Sequence, residues 1–175
     1  MNRTWIHALL LTGVILVLAG CGLTVEEQAT SGISKAQTVF SSEPAVSNKS
    51  IGNIQLYLPK GYGMEKGIDK SNYTLIDGKD SYILFVNPNE TMESRLHYTI
   101  LKEDPSSEVL QEKTYEADDI FGFSAIVRQP EEKYQLVVNV GGVKLTTISE
   151  GKKIDEKLQQ MMKVVKSVRV IDEQK

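Results

Sequence analysis

The chain has 175 residues, with 20 Lys and Arg against 23 Asp and Glu, a formal net charge of −3 and one cysteine. That slightly acidic balance leaves no basic surplus for a phosphate backbone, so nucleic acid is not an expected partner. A lone cysteine forms no internal disulfide and no thiolate cluster, and the fold must rest on its apolar core.

Arg3 opens the chain with a positive charge, and Trp5 to Leu18 is mostly apolar, broken by His7, Thr12 and Gly13. The run is shorter than the ~20 apolar residues of a comfortable bilayer span and has the layout of a secretory signal. It closes on Leu18-Ala19-Gly20-Cys21, two small residues and then the cysteine. This segment resembles the lipobox of bacterial lipoproteins. The resemblance implies that residues 1–20 are a signal peptide, that Leu18, Ala19 and Gly20 are read by the signal peptidase, and that Cys21 carries diacylglycerol and often a further acyl chain such as palmitate. Two chains suit stable anchoring, since one alone, at about 0.8 kcal/mol per buried methylene, binds only reversibly. The expected location is the extracytoplasmic side of the cell membrane. The alternatives are an ordinary secretory signal with a chance cysteine, or an uncleaved anchor.

Residues 21–49 are expected to form the lipidated cysteine and a flexible tether. The stretch mixes Ser, Thr, Gly, Gln and Glu with few large apolar residues, a composition that does not offset the entropy of ordering. As a coil of this length it would reach roughly 30 Å. Against this, Leu23 to Glu27 can start a short helix, and Val39-Phe40 can fold back on the domain.

A single globular domain is expected over 50–175. Ile54, Leu56 and Leu58 alternate as one face of a strand, ended by Pro59-Lys60-Gly61. Tyr73 to Ile76 and Ser81 to Asn87 flank Asp77-Gly78-Lys79-Asp80, a strong hairpin signal, and the unbroken apolar run Tyr82 to Val86 suggests a strand covered on both faces. Leu96, Tyr98 and Ile100 alternate as a further strand, and Asp104 to Leu110 carries the start signals of a short helix. A three-strand meander follows, Phe121 to Val127, Tyr134 to Val140 and Val143 to Ile148, turning at Gln129-Pro130-Glu131-Glu132 and Gly141-Gly142. Ile154, Leu158, Met161, Met162, Val165 and Val168 then form a single helical stripe that must pack on the sheet.

The expected fold class is α+β, a mainly antiparallel sheet of about six strands with a C-terminal amphipathic helix packed on it. The segment Leu56 to Tyr62, the central meander and the helix running into Ser167-Val168-Arg169-Val170 are similar to small PsbP-like domains over residues 50–172. The likeness implies an α/β/α sandwich acting as an accessory or interaction module, with no catalytic residues to transfer.

Candidate chemistry is sparse. His97 is the one histidine left after cleavage, and its ordinary pKa suits a general base. Its place opposite Leu96 and Tyr98, without a partner at a recognisable spacing, favours a structural role. Glu116, Asp118 and Asp119 offer hard oxygen ligands but lack an EF-hand layout. Gly61, Gly63 and Gly67 lack the ending of a phosphate loop, and no nucleophile elbow surrounds any serine, Ser167 included. No catalytic residue, metal or cofactor is assigned. Tyr62 and Tyr115, expected at loop or helix-edge positions, are the candidate binding residues, because tyrosine combines contact area with a polar tip. The expected function is a membrane-anchored, non-enzymatic module that binds an envelope protein or polymer. The alternatives are a small-ligand pocket between sheet and helix, lined by Met161 and Met162, and a carboxylate-based envelope hydrolase built on Asp118 and Asp119.

Overall fold

Two tight turns set the frame of the sheet. Asp77 and Asp80 pair across Gly78-Lys79, and Val140 and Val143 pair across Gly141-Gly142. Gly78 and Gly141 have φ of +58° and +53°, left-handed values that glycine adopts without steric cost. The computed structural model describes residues 22–67, 69 and 71–171. Its main sheet is antiparallel and seven-stranded, in the order β3 (Gly63–Lys66), β4 (Asn72–Asp77), β5 (Asp80–Val86), β9 (Val143–Ser149), β8 (Lys133–Val140), β7 (Ile120–Gln129) and β6 (Glu108–Ala117). A second, three-stranded sheet joins β1 (Lys49–Ile51), β2 (Ile54–Leu56) and β10 (Arg169–Val170). The protein is thus α+β, and the ten strands among the described residues exceed the roughly six expected because β1, β3, β6 and β10 carry short or irregular apolar patterns.

The C-terminal helix, here α3 (Ile154–Ser167), buries Ile154, Leu158, Met161, Met162, Val164 and Val165. Their spacing makes one continuous stripe, which lies on the sheet as the sequence requires. Beside it lies α1 (Val25–Ser41), which corrects the expectation of a flexible tether. Its N-terminus carries a capping box: the Glu27 amide donates to the Thr24 hydroxyl at 3.2 Å, and the Thr24 amide donates to the Glu27 carboxylate at 2.8 Å. Ala29, Gly32, Ile33, Ala36 and Phe40 are buried along one face. At the C-terminal end, Lys166 Nζ donates to the carbonyls of Phe40 and Ser42, supplying partners to groups the helix leaves unpaired. The helix is ordered by burial against α3 and the sheet, which a composition argument does not register.

The opposite face of the sheet carries α2 (Leu96–Glu103), a helix where alternation suggests a strand. It buries His97, while Leu96 and Ile100 are exposed. Tyr98 packs on Phe121 and Phe123 at centroid distances of 5.8 and 5.3 Å, in a small cluster with Ala125 and Val137 that is separate from the main core. The expected helix over 104–110 is replaced by a turn and the start of β6, where the Asp104 carboxylate accepts from the Ser106 amide and hydroxyl. Since α2 covers only part of this face, β5 is not enclosed as expected: Tyr82, Leu84 and Val86 are buried, but Ile83 is 45% exposed.

Candidate functional site

A polar cleft of about 540 Å³ lies where the β2–β3 loop, the β4–β5 hairpin and the outer side of α3 meet. Each wall has a local cause. Pro59, Lys60 and Tyr62 come from the loop that ends β2, and the Tyr57 amide is fixed by donating to Ser167 Oγ at 2.7 Å. The Ser167 hydroxyl in turn donates to the Val164 carbonyl at 2.6 Å. Ser167 is therefore a clamp between β2 and the end of α3.

Asp77 and Asp80 flank the glycine turn of the hairpin and reach the cleft together. Across from them, Lys157 donates to Asp80 Oδ2 at 2.8 Å, and its side chain is only 12% exposed. The rest of this wall is Lys153, the N-cap residue of α3, and Glu156, Gln159 and Gln160, the last three being polar positions between buried stripe residues of an amphipathic helix. Tyr62 packs on Tyr82 with ring centroids 5.6 Å apart and an interplanar angle of 37°. Burial first, and the nearby Asp77 carboxylate, raise the Tyr62 phenol, against a hydrogen bond with Tyr82 that lowers it. Burial likewise pushes the Tyr82 phenol up. Both hydroxyls stay protonated in ordinary buffers and remain able to donate.

Of the two tyrosines singled out, Tyr62 lines this cleft and Tyr115 does not. Tyr115 sits in β6 at 4% exposure, packs on Phe40 at 5.3 Å and donates to the Ile33 carbonyl at 3.2 Å. It is a core residue that holds α1, and its expected surface position is corrected. Tyr57, Gln159 and Gln160 were missed. The signal available was their offset from the buried stripe of α3 and from the alternation of β2.

The other candidates fall elsewhere. Leu18, Ala19, Gly20 and Cys21 lie outside the described residues. His97 is buried against the edge of Phe85, ring centroids 5.5 Å apart, and both its nitrogens lack a partner among the described residues. Asp118 and Asp119 form the β6–β7 turn, and Glu116 pairs with Arg95 at 2.8 Å. Among the described residues no group of three or more His, Cys, Asp or Glu is arranged to hold a metal ion. Met161 and Met162 are at most 1% exposed and belong to the main core, and neither lines the Tyr62 cleft. No helix of the described residues is long and apolar enough to cross a membrane.

No family model and no curated protein sequence matches this chain. It is similar to the solution structure of cyanobacterial PsbP (CyanoP) from Synechocystis sp. PCC 6803, at a TM-score of 0.44 and 11% identity. The match covers 72% of this chain and 97% of that one. At that identity no residue role passes from one chain to the other.

Proposed function

We propose that this protein is a lipid-anchored, extracytoplasmic binding module, held at the cell membrane through diacylglyceryl-modified Cys21 and engaging an envelope protein or polymer through the Tyr62 cleft. The observation that carries the reading is the sequence Leu18-Ala19-Gly20-Cys21 after a short apolar run. The cleft supports its second half: it is concave, lined by converging polar groups around two tyrosines, and about 540 Å³ lies within the ~300–1,000 Å³ range of ligand pockets.

The helix at Val25 changes the geometry that a tether would give. Folded structure begins four residues after Cys21, and four extended residues span at most about 14 Å. On this reading the domain works close against the membrane surface, not some 30 Å above it.

The anchor is tested by mass spectrometry of the N-terminal peptide from membrane fractions. The expected species begins at Cys21 with diacylglycerol attached, and Cys21→Ser is expected to abolish both the modification and membrane retention. A mature chain that begins elsewhere, or an unmodified cysteine, would refute the anchor.

A further inference from the structure

Resting on the binding-module reading, we infer that the Tyr62 cleft takes an uncharged polysaccharide, gripping sugar units between tyrosine rings and the amides of α3. Charge balance excludes the simplest rivals. Lys60, Lys153 and Lys157 face Asp77, Asp80 and Glu156 around one cleft, and the Lys157–Asp80 pair already neutralises itself at 2.8 Å. A polyphosphate or other polyanion would meet as many carboxylates as ammonium groups, and a polycation would meet the reverse. Neither gains net attraction.

What remains suits hydroxyl-rich, uncharged ligands. Each sugar hydroxyl both donates and accepts, and Gln159 and Gln160 each supply two N–H donors and a carbonyl acceptor. Tyr57 and Tyr62 line the cleft and are half-buried, and a tyrosine ring with its polar tip is a side chain suited to the C–H faces and hydroxyls of a sugar. The site is also organised before any ligand arrives. Tyr62 leans on the buried Tyr82 ring, the Tyr57 backbone is clamped by Ser167, and the glutamines stand on a helix. Such preorganisation lowers the ordering cost of binding. The cleft is not enclosed but opens to solvent, which is compatible with a longer chain as well as a ligand small enough to be enclosed.

The test uses the full lipidated chain in detergent micelles, titrated separately with uncharged N-acetylglucosamine and β-glucose oligomers, with polyphosphate and with a mixed-sequence peptide library. Amide resonances of Gln159, Gln160 and Lys157 are followed. The expected result is saturable shifts confined to these residues and the 57–62 loop with at least one uncharged oligomer. The Gln159→Ala/Gln160→Ala double variant should bind about tenfold more weakly with an unchanged melting temperature, since each lost hydrogen bond is worth several-fold in affinity. Tyr62→Phe keeps the ring and guards against loss of folding, and it should weaken binding only about threefold. No response to any oligomer, or saturable binding of polyphosphate or peptide at these residues, would overturn the polysaccharide class. Peptide binding there would leave the binding-module reading standing, whereas a cleft silent to all probes and to in-cell crosslinking would end both.

Discussion

Lys35 Nζ lies 2.5 Å from Asp155 Oδ2, tying the middle of α1 to the first turn of α3. Burial alone would raise the Asp155 carboxyl. The Lys35 hydrogen bond and charge, with backbone amides of the helix start, outweigh it and hold the group below its ordinary value of 3.8. A carboxylate depressed in this way stabilises the fold above its unfolded pKa, and the contribution is lost as pH falls through the lower folded value. Lys35→Met should therefore cost up to about 1 kcal/mol at pH 7, a limit set by solvent screening because Lys35 is 39% exposed. Thermal melts of the two proteins should differ by about 2–4 °C at neutral pH, and the gap should narrow below about pH 4.

A helix–helix contact this close depends on Gly32. A Cβ there would stand 2.7 Å from Leu158 Cδ1 and 3.0 Å from the Asp155 Cα. Leu158 can swing aside, but the backbone of α3 can move only with the helix. Alanine gains about 1 kcal/mol of helix propensity, and overpacking costs about 1–3 kcal/mol. Gly32→Ala should thus lower the melting temperature despite its better propensity, whereas a tether without tertiary contacts would show a neutral change or a gain.

Truncation separates the two views of residues 25–41 more bluntly. Phe40 is 4% exposed and Ala29 and Ala36 are fully buried, and the Phe40 ring lies over Gly122 and Tyr115. A chain beginning at Glu43 should lose cooperative unfolding and near-ultraviolet dichroism, because half of the cover over this sheet face is gone. The single change Phe40→Ala in the intact chain should cost about 3–5 kcal/mol, measured by urea unfolding.

His97 gives the pH dependence near neutrality. Burial first, then the charge of Lys144, hold the imidazole below its ordinary 6.5, with Glu90 opposing. The unfolded chain then takes up its proton first as pH falls, so stability is complete above about 6.5 and declines below it. Urea unfolding between pH 7.5 and 5.5 should show this decline, no steeper than about 1.4 kcal/mol per pH unit, and His97→Met should remove it. His7 lies in the segment expected to be cleaved, which leaves His97 as the histidine of the mature chain.

The elements legible in the sequence are those whose cause is local. The turns at Gly78 and Gly141 demand left-handed backbone, and the stripe from Ile154 to Val165 repeats at helical spacing over about three turns. The misread elements depend on distant contacts. In α1 the buried residues are mostly small, Ala29, Gly32 and Ala36, so the segment has the composition of a linker although its spacing is helical. Thr24 and Glu27, three apart, were the capping signature that marked its start. In α2 the apolar Leu96 and Ile100 face solvent while His97 is buried, so alternation there pointed to the wrong period. The cleft shows the same division. Tyr62 stood out as a residue type, but its neighbours Gln159, Asp77 and Lys157 come from parts of the chain that only the fold brings together.

Crosslinking in intact cells is the most direct test of a lipid-anchored module that works through this cleft. A photoreactive residue in place of Gln160 is compared with one in place of Ile100 on the opposite face, each in the native chain and with Cys21→Ser. The predicted result is adducts from position 160 that depend on Cys21, with none from position 100. Equal adducts from position 160 without Cys21 would contradict the anchor's role, and adducts from position 100 alone would contradict the cleft's.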